Sequence, residues 1–224
     1  MTRSVIVAGG TGVLGSAVTA EFLAAGWRVV VPGRSETTLA ALGSGDTLHP
    51  VVADLADPAD AARVAEVAVA DTEAPLRAVV NLVGGFAMGG RLHETPIEEF
   101  DQQLRTNLRA TYLITQAALP HLIEAGGGAI VCTSSRTALK PLRGASGYGV
   151  SKAAVLSLVD NLANEYAADG IRVNAIVPSV IDTPTNRKAM PNADPNTWTQ
   201  PAKIASVIRF LCENDTVSGA QVPV

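Results

Sequence analysis

The densest chemistry in this sequence lies in residues 135–152, SRTALKPLRGASGYGVSK. The run offers a hydroxyl at Ser135, a phenol at Tyr148 and an ammonium at Lys152, with Pro141, Gly144 and Gly147 marking a loop between them. Apolar residues recur at helical spacing after Gly147, so Tyr148 and Lys152, four apart, share one face of a helix. A free phenol, with a pKa of about 10, exchanges protons poorly at neutral pH. A neighbouring ammonium favours phenolate and draws that pKa toward the working range. Ser135 follows an apolar run at 129–133 that reads as a strand, and its hydroxyl can hold a substrate carbonyl oxygen. Tyr-x-x-x-Lys alone is a weak signal, equally at home on an exposed amphipathic helix. An interval of thirteen residues from serine to tyrosine, with strand before and helix after, is much stronger.

The elements that must position this run begin at the other end of the chain. An apolar strand at 4–8 leads into Gly9, Gly10, Thr11, Gly12, Val13, Leu14 and Gly15, followed by a helix to about residue 25. Such a turn brings backbone close to a pyrophosphate and aims a helix N-terminus at it, the requirement of a dinucleotide site. A second strand at 27–31 ends in Pro32-Gly33-Arg34-Ser35. No carboxylate stands there to bind an adenosine ribose 2′-hydroxyl, whereas Arg34 is placed for a 2′-phosphate. NADP(H) is therefore expected in preference to NAD(H). Further strands are expected at 48–53, 78–82, 172–177 and 221–224, with a helix from near Pro58 and a long one over 97–124 containing Asn107. Alternating strands and helices give a parallel sheet covered on both faces. The expected fold is a single Rossmann-type, doubly wound α/β domain spanning 1–224.

The spacing of Ser135, Tyr148 and Lys152 resembles that of the short-chain dehydrogenase/reductase family, and other matches extend the resemblance over essentially the whole chain. It implies an acid/base role for Tyr148, tuning of that phenol and ribose binding by Lys152, and carbonyl positioning by Ser135. Asn107 would hold a water of the proton relay. The same resemblance assigns Gly9, Thr11, Gly12, Val13, Leu14 and Gly15 to the phosphate turn and Arg34 with Ser35 to the adenosine ribose. Asp54 and Leu55 would meet the adenine edge, although Asp54 also suits an N-cap for the helix near Pro58. Asn81 and Gly84 would lie by the adenosine, and Pro178, Ile181 and Thr183 by the nicotinamide. Ser134 reads as a backbone or cofactor contact. The chain departs from the common pattern at Ala8, Val13 and Ser179, and its turn glycines read G-x-x-G-x-x-G.

Residues 183–201 form the expected substrate lid, TPTNRKAMPNADPNTWTQP, and this segment is similar to that of the quinonoid dihydropteridine reductases. Members of that branch lack the serine and carry an acidic residue where Gly33-Arg34 stands. The expected activity is NADPH-dependent reduction of a ketone or aldehyde; alternatives are quinonoid dihydropteridine reduction and non-catalytic NADP sensing. Arg187 and Lys188 would either attract an anionic substrate or be solvated, and Trp198 would anchor the lid or stack on a ligand.

Composition supports a globular enzyme. In 224 residues, 47% hydrophobic content against 17% charged is enough for a sizeable core. A net charge of −4 argues against general nucleic-acid binding. Two isolated cysteines suit a reducing cytoplasm. The opening residues run straight into a strand with no room for a signal peptide, and no apolar run approaches the ~20 residues of a membrane span. Small-molecule substrates and a homodimer or homotetramer are expected, the latter from the family resemblance.

Overall fold

The computed structural model of the chain describes residues 2–43 and 45–224. In chain order its principal elements are β1 Ser4–Ala8, α1 Val13–Ala24, β2 Arg28–Gly33, α2 Glu36–Ala40, β3 Leu48–Val52, α3 Pro58–Val69 and β4 Leu76–Asn81. They continue as α4 Ile97–Leu104, α5 Ala110–Glu124, β5 Gly128–Thr133, α6 Arg136–Leu139, α7 Ser146–Glu165, β6 Ile171–Val177, α8 Pro184–Ala189, α9 Pro201–Glu213 and β7 Gln221–Pro223. The strands form one seven-stranded sheet in the order β3-β2-β1-β4-β5-β6-β7. Every neighbouring pair is parallel.

Alternation along β1 shows how the sheet is buried on both faces. Ile6 and Ala8 join one core, with Val64 of α3, Ile114 of α5 and Val155 of α7. Val5 and Val7 join the other, with Phe22 of α1 and Ile204 and Ile208 of α9. The strands are therefore continuous apolar runs, as parallel strands covered on both sides must be. Trp27, just before β2, and Glu213, the last residue of α9, tie the second core's edge together. Trp27 packs edge-on against Phe22 at 5.1 Å, lies under the Arg3 guanidinium at 4.1 Å, and donates its indole N–H to Glu213 at 3.2 Å.

Strand order reverses direction between β1 and β4, and such a switch point opens a crevice beyond the carboxyl ends of the strands. Two glycines shape it. Gly9 adopts φ +82°, a conformation open to glycine at little cost, and a side chain there would meet the Leu82 backbone at 3.0 Å. A Cβ on Gly15 would run into the Gly9 carbonyl oxygen, so α1 can approach the turn only because Gly15 lacks a side chain.

Gly15→Ala is expected to force the turn apart at a cost of about 1–3 kcal/mol. For a chain of this size that is about 2–4 °C of melting temperature per kcal/mol. A thermal melt checks the loss, and unchanged stability would show that the turn relaxes freely.

Candidate active site

The long helix expected over 97–124 is present but not uniform. Between α4 and α5, Arg105–Arg109 form a π-helical turn. A turn of this kind widens the backbone locally and re-aims its side chains, and Asn107 sits fully buried within it. Its amide works as a clamp on the loop after β4. The Oδ1 accepts from Gly85 N–H at 2.9 Å, and the Nδ2 donates to Gly85 C=O at 3.2 Å, Gln103 Oε1 at 3.2 Å and Ser151 Oγ at 3.1 Å. The residue before, Gly84, is squeezed between two functional groups: a Cβ there would lie 2.6 Å from Asn107 Oδ1 and 2.9 Å from Lys152 Nζ. The motif position expected beside adenosine thus also lets Asn107 and Lys152 converge.

Lys152 is 4% exposed and donates from Nζ to the Thr133 carbonyl at the end of β5, at 2.9 Å. Burial brings its pKa down to about 8, with nearby Cys132 pulling weakly the other way. The same lysine is held through its own carbonyl, which accepts from Ser134 Oγ at 2.8 Å. Ser134 is therefore a backbone contact that pins α7 to β5, and Ser135 is left to face the phenol. Burial pushes the Tyr148 phenol up, and a hydrogen bond from the Ser135 hydroxyl acts against it. This differs from the expectation that the ammonium would lower the phenol's pKa. Desolvation dominates here, and Lys152 spends its hydrogen bond on Thr133. Ser135 also accepts from Thr137 N–H at 3.2 Å, capping α6, so its position is fixed by backbone. Ser151, Gln103 and the Thr133 carbonyl escaped the sequence reading because their roles are hydrogen bonds between distant elements. Phe86 packs edge-on against Tyr148 at 5.0 Å and supplies an aromatic wall.

The switch-point crevice encloses about 370 Å³, and its wall includes Gly9, Thr11, Gly12, Arg34, Asp54, Leu55 and Gly84 from the expected set. Gly12 precedes the first turn of α1, where no side chain caps the helix. That leaves the turn suited to an anionic pyrophosphate. Val13, Leu14 and Gly15 form this first turn. Arg34 is exposed, with no carboxylate partner among the described residues, and Arg105 of the π turn brings a second cation to the same crevice. Ser35 instead caps α2, accepting from Thr38 N–H at 3.4 Å. Asp54 does not cap α3; Asp57 does, accepting from Ala59 and Asp60 N–H at 2.9 and 3.1 Å. Asn81 accepts from Val83 N–H at 3.0 Å while its buried Nδ2 has no partner. These features fit a dinucleotide.

Pro178, Ile181 and Thr183 lie where β6 passes into the lid. The Pro178 carbonyl accepts from Arg136 N–H at 2.9 Å, Ile181 bridges to Thr199, and Thr183 caps α8, accepting from Asn186 N–H at 3.1 Å. The lid has a clasp that the sequence did not reveal. Buried Asp182 takes two bonds from Arg187, at 2.6 and 2.7 Å, and a third from Gln200 at 2.6 Å. The Arg187 hydrogen bond holds that carboxyl down at about 2. Arg187 is therefore committed within the lid, Lys188 is exposed, and Trp198 is buried as an anchor.

The lowered pKa of Lys152 makes a signed prediction. Below about pH 8 the ammonium is charged in both folded and unfolded chains, and its desolvation cost is fully present. As pH rises toward the unfolded value of 10.5 the folded chain releases its proton first, so the cost is relieved. The stability of Lys152→Met relative to the parent is expected to be flat below pH 8. Between about pH 8 and 10.5, the difference shifts toward the parent by about 1.4 kcal/mol per pH unit. Denaturant melts of both proteins from pH 6.5 to 10 check it, and a pH-independent difference would contradict it.

A family model described as short chain dehydrogenase matches residues 3–194. The 2-(R)-hydroxypropyl-CoM dehydrogenase of Xanthobacter autotrophicus is 37% identical over 192 residues, 82% of this chain and 76% of that protein. The 4-formylbenzenesulfonate dehydrogenase of Comamonas testosteroni is 33% identical over 175 residues, 72% of this chain and 69% of that protein. Among solved structures, ElxO with NADP bound matches with a TM-score of 0.91 at 27% identity, covering 100% of this chain and 97% of that one. With a glycine turn and switch-point crevice at one sheet edge and Ser135, Tyr148 and Lys152 on the helices beside it, the chain belongs to the short-chain dehydrogenase family and is an NAD(P)-dependent oxidoreductase.

Proposed function

We propose that this chain is an NADPH-dependent reductase of ketones and aldehydes, built as one domain over residues 1–224. The observation that carries the reading is Tyr148 and Lys152 one turn apart on α7, the phenol partly buried and the ammonium buried at the end of β5, with Ser135 fixed at the start of α6 and acting on the phenol's pKa. When bound, the nicotinamide cofactor supplies the hydride. Ser135 donates to the carbonyl oxygen of the substrate, where negative charge develops during reduction. Tyr148 holds the proton that this oxygen takes up, and its raised pKa keeps that proton in place at neutral pH. Lys152 and Asn107, converging on Gly84, keep the tyrosine's surroundings polar and fixed. Gly9 to Gly15, Asp54, Leu55, Asn81 and Gly84 hold the dinucleotide, with Pro178, Ile181 and Thr183 at its nicotinamide end. Arg34 and Ser35 select the 2′-phosphate, and the neighbour solved with NADP supports that preference.

The substrate is a small molecule rather than nucleic acid or a membrane surface. Among the described residues no helix is long and apolar enough to cross a membrane. The cytoplasm is the proposed location, given two buried free thiols at Cys132 and Cys212. The groove between α5 and α7, with Leu108, Tyr112 and Leu158 in its wall, is the proposed face for a homodimer or homotetramer.

NADPH oxidation across ketones, aldehydes, quinones and quinonoid dihydropterin tests the assignment, and turnover of the pterin alone would replace it. Tyr148→Phe is expected to lower kcat by about 10²–10⁴-fold with NADPH affinity nearly unchanged; retained turnover would remove Tyr148 from its role. Arg34→Asp is expected to move the ratio of kcat/KM for NADPH over NADH by about tenfold or more, consistent with loss of a charge-assisted bond of about 1.5–3 kcal/mol. An unchanged ratio would leave cofactor choice to other residues.

A further inference from the structure

A second cavity, of about 720 Å³, has Tyr148 in its wall but is not part of the cofactor crevice. Its volume lies within the range of about 300–1,000 Å³ usual for small-molecule sites. The loop after β4, the first turns of α4 and the start of α7 enclose it, with Met88, Leu92, Ile97 and Phe100 as its large apolar side chains. Met88, Leu92 and Ile97 are 59%, 70% and 63% exposed, so three large apolar groups face solvent around one concavity. Apolar surface gathered in this way marks a binding face.

The cavity is held open by backbone. Gly89 N–H donates to the Gly144 carbonyl at 2.8 Å, tying the loop after β4 to the loop before α7. Gly144 adopts φ +77°, and a side chain on it would strike the Gly89 carbonyl. Gly147 passes α4 so closely that a Cβ would stand 3.3 Å from Gln103 Cγ. Two of the glycines before Tyr148 therefore serve this enclosure. Its charge has one sign: Glu98 and Glu99 are the charged residues in the wall, which holds no Lys, Arg or His. Arg91 lies beside Glu94 at 3.4 Å, and Arg143, next to Gly144 in sequence, is not among the wall residues.

We infer that this cavity receives the uncharged, apolar, non-reacting portion of the substrate, so that the enzyme selects neutral carbonyl compounds bearing an alkyl or aryl tail and rejects those bearing an anionic group. The inference rests on the carbonyl-reductase reading for its reacting end. The tail lies against Met88, Leu92, Ile97 and Phe100 while the carbonyl meets Ser135 and Tyr148. A carboxylate in the same place loses its water and meets two glutamates in a wall that holds no Lys, Arg or His.

NADPH oxidation by the full chain is measured with benzaldehyde, 4-ethylbenzaldehyde, 4-butylbenzaldehyde and 4-carboxybenzaldehyde. The expected kcat/KM rises by up to about fourfold per buried methylene. It is at least about tenfold lower for the carboxylate than for the ethyl compound, as a desolvation cost of about 1.4 kcal/mol or more would give. Ile97→Trp, which fills the cavity, flattens the alkyl series. A series already flat in the parent, or a preference for the carboxylate, overturns the inference and leaves the catalytic reading standing. Calorimetric titration of 4-butylbenzyl alcohol into cofactor-free parent and Ile97→Trp protein gives a readout independent of turnover. Binding weakened about tenfold or more in the variant supports the cavity's role; equal affinity, or no binding to the parent, overturns it. If none of the aldehydes is reduced, the catalytic reading fails and the titration still decides the cavity.

Discussion

An ammonium buried at the end of a parallel sheet is the constraint around which this molecule is arranged. Lys152 keeps one hydrogen bond to the Thr133 carbonyl and loses most of its water, and its pKa falls to about 8 in consequence. A buried cation is tolerable only where the surrounding polar groups are fixed. Here they are fixed from three directions. Ser134 ties the lysine's own carbonyl to β5, Asn107 clamps the Gly84–Gly85 backbone beside the ammonium, and Ser151 links Asn107 to α7. Removing the side chain at position 84 is what allows these groups to meet.

The sheet explains why such an arrangement is available here. Every strand runs the same way, so β1, β4, β5 and β6 all deliver their carboxyl ends to one edge. Glycine turn, clamp loop, Ser135 and lid hinge leave those four strands in order, and the crevice opens where the winding reverses between β1 and β4. Helix α7 then crosses behind this edge and presents Tyr148 and Lys152 from one face. The lid needs its own fastening because it leaves the sheet altogether, and the Asp182–Arg187–Gln200 clasp provides it. Arg187 could have been a cation for an anionic substrate; as a clasp residue its charge is already matched by Asp182.

Much of this was legible in the chain itself. Strand positions followed from continuous Val, Ile and Ala runs, and all seven expected strands appear within a few residues of their expected bounds. The serine, tyrosine and lysine were singled out by spacing, and in the structure the Ser134 hydroxyl is taken up by the Lys152 carbonyl while Ser135 caps α6. The misreadings share one cause. Asp54 suits a cap by residue type, but α3 opens at Pro58 and Asp57, directly before it, takes the cap. The phenol was expected to be acidified by its lysine because helical spacing places them together. Spacing, however, carries no information on how deeply either group is buried, and burial turned out to control both.

The amino-acid sequence by itself determined the order of elements, the family and the candidate reacting groups, because periodicity, glycine turns and fixed intervals are local properties. Tertiary structure alone decided the π turn at Asn107, the squeeze at Gly84, the lid clasp and the acidic, apolar cavity beside Tyr148. Each of these depends on contacts between residues far apart in the chain, and desolvation and charge pairing exist only once those contacts have formed.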